Sequence, residues 1–253
     1  MPAIGVKIQG LDEVRRSLAG FRDQLPYAMA RSLTQVAVVV KDREVAEMMS
    51  VFDRPTPYTL GSLYIKPATK SEQNSWVWMK EFAGKGTPAY KYLYPQIYGG
   101  DRQLKRFERA LQYKGVLPEG MYCVPGQGAN LDSYGNMSTG QIVQILSYFQ
   151  AFGEQGYRAN ITEKGRAKLA KGTKTKQGIS YFALQQPYKN LKPGIYMRAV
   201  FNWGGAIKPI IMFVKKPHYK KRFFFFEVGQ AEANEKWRPI FDAALDDAIR
   251  TAK

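Results

Sequence analysis

Cysteine and histidine are almost absent from this chain, which holds one of each, Cys123 and His218, in 253 residues. A single cysteine closes no internal disulfide, and one Cys with one His is too small a set for a zinc module. A Ser-His-Asp triad would have to be built on His218, which stands in the basic stretch Lys216-Pro217-His218-Tyr219. It reads as a surface or interface histidine, and Cys123, between Tyr122 and Val124, as a small buried hydrophobe. Long apolar runs are missing too. The longest uncharged stretch, Ser133 to Gly153, is broken by Asn136, Gln141, Gln144 and Gln150; its apolar part falls well short of the roughly 20 residues of a membrane span, so no membrane is expected as a partner. Met1 to Gly10 carries one lysine and no apolar core, so no secretory leader is expected and the working compartment should be a reducing cytoplasm. Hydrophobic residues at 45% and charged residues at 23% exclude wholesale disorder.

Acidic residues are scarce where it matters. The formal net charge is +17, and between Arg158 and Arg222 there are sixteen Lys or Arg against a single acid, Glu163. A field that concentrated suggests a polyanionic or acidic partner. The same scarcity argues against metal-dependent cleavage of nucleic acid, which needs clustered carboxylates; Glu-x-Lys occurs nowhere in the chain. Gly84-Lys85-Gly86-Thr87 lacks the upstream glycine of a phosphate-binding loop and the hydroxyl residue directly after its lysine, and Gly126-Gln127-Gly128 opens no helix after a clear strand. The expectation is of no catalytic residues, no cofactor and no metal.

The elements follow from periodicity. Leu11, Val14, Leu18 and Phe21 mark a short amphipathic helix, and Met29, Leu33, Val36 and Val40 a second one starting near Pro26 and running to about Ser50. The prolines of Asp53-Arg54-Pro55-Thr56-Pro57 stop it. Period-two stretches at Leu63–Ile65 and Trp76–Met79 predict a hairpin. A Gly- and Tyr-rich loop leads to a surface helix through Leu104, Phe107 and Leu111, its outer face carrying Lys105, Arg106, Glu108 and Arg109. A strand is expected near Met121 to Val124, and Ser138 with Gln141 has the spacing of a capped helix start. From Arg158 to Gly178 no apolar period is visible, and the segment reads as a basic loop in which Lys164, Arg166, Lys168, Lys171, Lys174 and Lys176 are candidates to face a protein partner or DNA. Strands at Tyr181–Gln185, Ile195–Phe201 and Ile207–Val214 predict a meander, with Pro209 placing the third at an edge or a bulge. A last helix carries Trp237, Phe241, Leu245 and Ile249, with Pro239 near its first turn. The class is α+β: an antiparallel sheet with two N-terminal helices, inserted middle helices and a C-terminal helix. The domain reading is one domain over 1–253 with a loop-rich insertion near 84–178 carrying two helices and the basic loop.

The four aromatics Phe223 to Phe226 cannot all face one core from a helix or a strand. Together with the tyrosines from Tyr90 to Tyr98 they exceed what one domain of this kind buries, which makes Phe224 and Phe226 candidates for a contact between copies.

Two stretches carry a resemblance. The opening Val6-Lys7-Ile8-Gln9-Gly10-Leu11-Asp12-Glu13-Val14 and, above all, Pro57-Tyr58-Thr59-Leu60-Gly61-Ser62-Leu63-Tyr64-Ile65 resemble the tail-completion (neck) proteins of long-tailed bacteriophages, including the minor tail protein Z type. In that family a helix is followed by a proline, a Thr-Gly-like turn and a strand beginning with Leu. Here Pro57, Thr59, Gly61 and Leu63 hold those places, with Leu60 between Thr and Gly as a departure. The resemblance covers about residues 1–80. It implies a structural virion protein, assembled in the host cytoplasm, that forms a ring of identical subunits at the head–tail junction, six-fold or twelve-fold. Its neighbours would be the head connector and the tail terminator or tube proteins, with genomic DNA passing non-specifically through the channel. The alternative is a basic DNA-binding accessory protein acting outside the virion; a nuclease is a distant third reading.

Overall fold

The second expected helix is present, and its apolar stripe is why: Met29, Leu33, Val36 and Val40 are all buried, three or four residues apart on one face. The computed structural model describes residues 3–5, 24–82, 84, 86–173, 177–201 and 204–251. In chain order the elements begin with β1 (Ala3–Gly5), α1 (Leu25–Val51), α2 (Pro57–Leu60), β2 (Leu63–Lys66), β3 (Trp76–Met79), α3 (Ala89–Tyr98) and β4 (Gly100–Asp101). They continue with α4 (Arg106–Tyr113), β5 (Met121–Pro125), α5 (Thr139–Tyr148), a 3-10 turn (Glu154–Ala159) and α6 (Glu163–Lys171). The chain closes with β6 (Gly178–Leu184), β7 (Gly194–Phe201), β8 (Gly204–Lys215), β9 (His218–Tyr219) and α7 (Phe225–Thr251). Helices and antiparallel sheets occur in runs, so the class is α+β.

Two compact units result. Unit 1 takes Met1–Gly100 and Tyr219–Lys253, and unit 2 takes Asp101–His218. Sequence reading set an insertion at 84–178; the inserted unit instead runs to His218, because β6, β7 and β8 form their sheet with β5.

In unit 1, α1 and α7 lie antiparallel, as the ion pairs Arg31–Asp247 and Arg43–Glu232 require. Their seam holds Val36, Val40, Met48, Trp237 and Phe241, joined by Leu63, Val77 and Met79 of a three-stranded sheet ordered β1-β3-β2. The expected hairpin is there, with Leu63 opposite Met79 and Ile65 opposite Val77.

Unit 2 is a four-stranded antiparallel sheet ordered β5-β8-β7-β6, whose core gathers Leu111, Ile145, Leu146, Tyr181, Ile195, Ile211 and Phe213. Pro209 is accommodated by a bulge within a central strand, not at an edge: Ile195 pairs with Ile211 and Tyr196 with Pro209, leaving Ile210 as the extra residue. The bulge lets the consecutive Ile210 and Ile211 both be fully buried. The carbonyls of Pro209 and Ile210 accept from the amides of Gly128 and Gly126 at 2.9 and 2.8 Å. A Cβ on Gly126 would lie 2.3 Å from the Pro209 oxygen, so only glycine fits this approach.

Four sequence expectations are corrected. The Gly/Tyr-rich segment contains α3, because Ala89, Leu93 and Ile97 recur every four residues and are buried. The basic segment contains α6, whose ends are set by caps instead of an apolar stripe: the Thr162 hydroxyl accepts from the Gly165 amide at 3.1 Å, Glu163 occupies the positive first turn, and Lys168 and Lys171 the negative last turn. The final helix begins at Phe225 and places Pro239 in its interior. Glu108, assigned to an outer charged face, is fully buried. The expected helix over Leu11–Phe21 and the stretch Val6 to Val14 lie outside the described residues.

Candidate functional site

Two surfaces bring together residues singled out from sequence. The first is in unit 1. Near the C-terminal end of α3, where helix carbonyls lack helical donors, the carbonyl of Gln96 accepts from the amides of both Arg222 and Phe223 at 2.9 Å. The Arg222 guanidinium also donates to the Gln96 side-chain oxygen. This clamp ties the tyrosine-rich helix to the phenylalanine run. The run then divides. Phe223 and Phe225 are fully buried, and Phe223 packs edge-on against Phe52 with ring centres 5.6 Å apart. Phe226 is half-buried and meets Tyr98 at 5.9 Å, and Tyr98 in turn meets Tyr94 at 4.6 Å. Tyr94, Tyr98 and Phe224 are each about half exposed, and the Lys221 ammonium sits 5.0 Å from the Phe224 ring centre. Partial burial, with Tyr94 alongside, pushes the Tyr98 hydroxyl above its ordinary range while Lys221 opposes the shift. The outcome is a cluster of exposed rings with a cationic rim.

The motif residues stand in the same unit. Pro57 opens α2, Thr59 donates its amide to the Thr56 hydroxyl at 3.2 Å, Gly61 ends the turn, and Leu63 begins β2 with its side chain buried. The Thr59 hydroxyl also meets the Tyr92 hydroxyl of α3 at 3.1 Å. Proline, threonine, glycine and leucine therefore make one turn from helix to strand, and threonine fastens it to the tyrosine-bearing helix.

The second surface is in unit 2. On α6, Lys164, Lys168 and Lys171 are exposed, and their spacing of four and three residues puts them on one face. Arg166 is on the other side of the helix and does a different job. Its guanidinium donates to the Tyr148 carbonyl and lies 5.1 Å from the Tyr148 ring centre, while its Nε is buried without a partner. Arg166 fastens α6 to the unit instead of facing a partner. Gly178 completes the anchoring, since a Cβ there would lie 2.2 Å from the Ala170 carbonyl oxygen. Lys174 and Lys176 lie outside the described residues.

Two buried acids escaped the sequence pattern. Glu108 receives both guanidinium nitrogens of Arg102 at 2.7 and 2.6 Å and the amides of Lys105 and Cys123 at 2.6 and 2.8 Å. Burial alone would raise its pKa; the Arg102 and backbone hydrogen bonds outweigh burial and hold it below the usual carboxylate range. Glu44 is the opposite case. Fully buried on α1, its oxygens have no partner of hydrogen-bond geometry, with the backbone of Gly229 facing it from α7. Burial, then the nearby Glu47, pushes its carboxyl up to about 8.

Cys123 is buried and its thiol is pushed up to about 12 by burial and then by Glu108, which leaves it unreactive. His218 is exposed, its Nδ1 2.9 Å from Asp101, which also binds Lys216 at 2.6 Å. Among the described residues no group of three or more His, Cys, Asp or Glu could hold a metal ion, and no helix is long and apolar enough to cross a membrane. Compared with family models, curated proteins and solved structures, the chain matches none.

Proposed function

We propose that this chain is a structural virion protein of a long-tailed bacteriophage, forming a ring at the head–tail junction that completes the tail and joins it to the head connector, with no catalytic role. The observation that carries the reading is the pair of half-exposed rings Tyr94 and Tyr98 set on the partly buried Phe226, with Phe224 also half exposed at the start of α7. Aromatic side chains supply large, rigid contact area at small entropic cost, which suits an interface between copies. The helix-to-strand turn through Pro57, Thr59, Gly61 and Leu63 agrees with the pattern that the tail-completion resemblance implies. The α6 lysine stripe supports contact with an acidic protein ring or with passing DNA, and a protein partner is favoured: a helix gripping phosphates would hinder ejection of the genome.

The test is to make Phe224→Ser and Phe226→Ser separately. Phe224→Ser removes a half-exposed ring and should leave the fold unchanged, whereas Phe226→Ser also removes a ring packed on the core and on Phe225 and should lower stability; at least one of the two, checked as folded by circular dichroism, should fail to enter intact particles. Normal incorporation of both folded variants would overturn the interface. Salt-dependent duplex binding by the isolated chain, with particles assembling normally in its absence, would favour a DNA-binding accessory protein instead.

A further inference from the structure

Unit 2 contains a cleft of about 600 Å³ that neither assembly surface uses. It opens over the part of the sheet beyond the bulge. Its apolar wall is Ile179 of β6 and Met197 of β7, which the register puts on one face with Tyr181 and Lys208, and its opposite wall is α5, through Gln141 and Gln144.

The polar groups on these walls are unequally engaged. Gln141 is more than nine-tenths buried, and its Oε1 accepts from the backbone amide of Asn130 at 2.8 Å. A backbone amide can only donate, so the orientation of this side chain is fixed and its Nε2 is left facing the cleft as a donor. The Oε1 of Gln144 accepts from the Tyr181 hydroxyl at 3.0 Å, which uses the tyrosine proton and likewise leaves an amide nitrogen over. Lys208 of β8 adds an ammonium group, and no carboxylate is among the lining residues. The groups left unspent on the α5 wall and on β8 are donors, set above an aliphatic floor.

An occupant must therefore bring an excess of acceptor lone pairs at one end and a flexible apolar body at the other. A carboxylate offers about four acceptor sites and the charge that Lys208 matches, and the volume suits a small ligand. We propose that this cleft binds a medium-chain aliphatic carboxylate, its head group taken by the side-chain amides of Gln141 and Gln144 and by Lys208, and its tail lying on Ile179 and Met197. This proposal is independent of the virion reading, because none of the residues it uses belongs to the ring cluster or to the lysine stripe of α6.

The probe is octanoate, titrated calorimetrically into the full chain, with 1-octanol as the uncharged control. Octanoate is expected to bind at least tenfold more tightly than octanol. Lys208→Met should weaken octanoate about tenfold, the scale of one lost charge-assisted hydrogen bond, and leave octanol unchanged. Met197→Glu, at a partly buried position on the cleft face, should weaken octanoate by repulsion, with circular dichroism confirming that the variant is folded. No binding of octanoate up to millimolar concentrations, equal binding of octanol, or wild-type affinity in both variants would each overturn the proposal.

Discussion

Glu44→Gln is expected to stabilise unit 1 at neutral pH and to have little effect near pH 4. The carboxyl lies in the seam between α1 and α7, fully buried and without a hydrogen-bond partner, and is pushed up to about 8. Its folded-state pKa is thus raised above an unfolded value near 4.5. Between those two values the folded chain holds a proton that the unfolded chain has released. The stability associated with that proton is fully present below pH 4.5 and is lost as pH rises towards 8. Each unit in this window costs about 1.4 kcal/mol, so by pH 7 the loss is on the order of 3 kcal/mol. Glutamine has the shape of the protonated acid and does not titrate, which removes the slope. The assay is urea unfolding followed by tryptophan fluorescence, with Trp76, Trp78 and Trp237 all in unit 1, repeated at intervals from pH 4.5 to 8. Parallel stability profiles for wild type and variant across that range would refute the reasoning.

Arg102→Ala should destabilise unit 2 by about 3–5 kcal/mol, because it strands the buried Glu108 charge, measurable as a fall in the denaturant midpoint. Glu108 has the opposite pH sign to Glu44: its depressed pKa contributes stability above the ordinary carboxylate range that is lost on acidification, so Glu108→Gln should flatten the acid limb of a unit 2 unfolding curve. Replacing Lys164, Lys168 and Lys171 together by Gln should lower the thermal midpoint by no more than a few degrees, since all three are exposed and only Lys168 and Lys171 lose a favourable place in the last turn of α6. Should they meet DNA phosphates, the same variant would reduce the salt slope of duplex binding by about 2 to 3 units; should they meet an acidic protein, heads and tails would fail to join with DNA binding unchanged.

How far the fold could be read depended on what each element uses to define itself. Helix α1 was legible because one uninterrupted stripe, Met29 to Val40, both forms it and buries it, and α5 because Ser138 and Gln141 cap it as their spacing required, the Ser138 hydroxyl accepting from the Gln141 amide at 3.2 Å. Helix α3 was hidden by Pro95 in its interior and by tyrosines that populate two faces. Helix α6 has no buried residue, so periodicity has nothing to report; the signal was in the caps, Thr162 with Gly165 and the acid-to-base order of its ends. Glu108 could not be placed from sequence, since its burial depends on Arg102 and on a strand amide fifteen residues away. Of the candidate residues, Phe226 was identifiable from excess aromatic content, while its neighbour Tyr98 became specific only through the Gln96 clamp. The cleft was illegible: its walls come from α5, β6, β7, β8 and the 127–130 loop, and no local pattern marks residues that converge from that many segments.

The central claim is a place in the virion, and it is tested most directly by imaging assembled particles in which this chain carries an electron-dense label. The expected result is several copies arranged around the axis at the junction of head and tail, with particles lacking the chain arrested as separate heads and tails. Label elsewhere, or complete infectious particles formed without the chain, would contradict it.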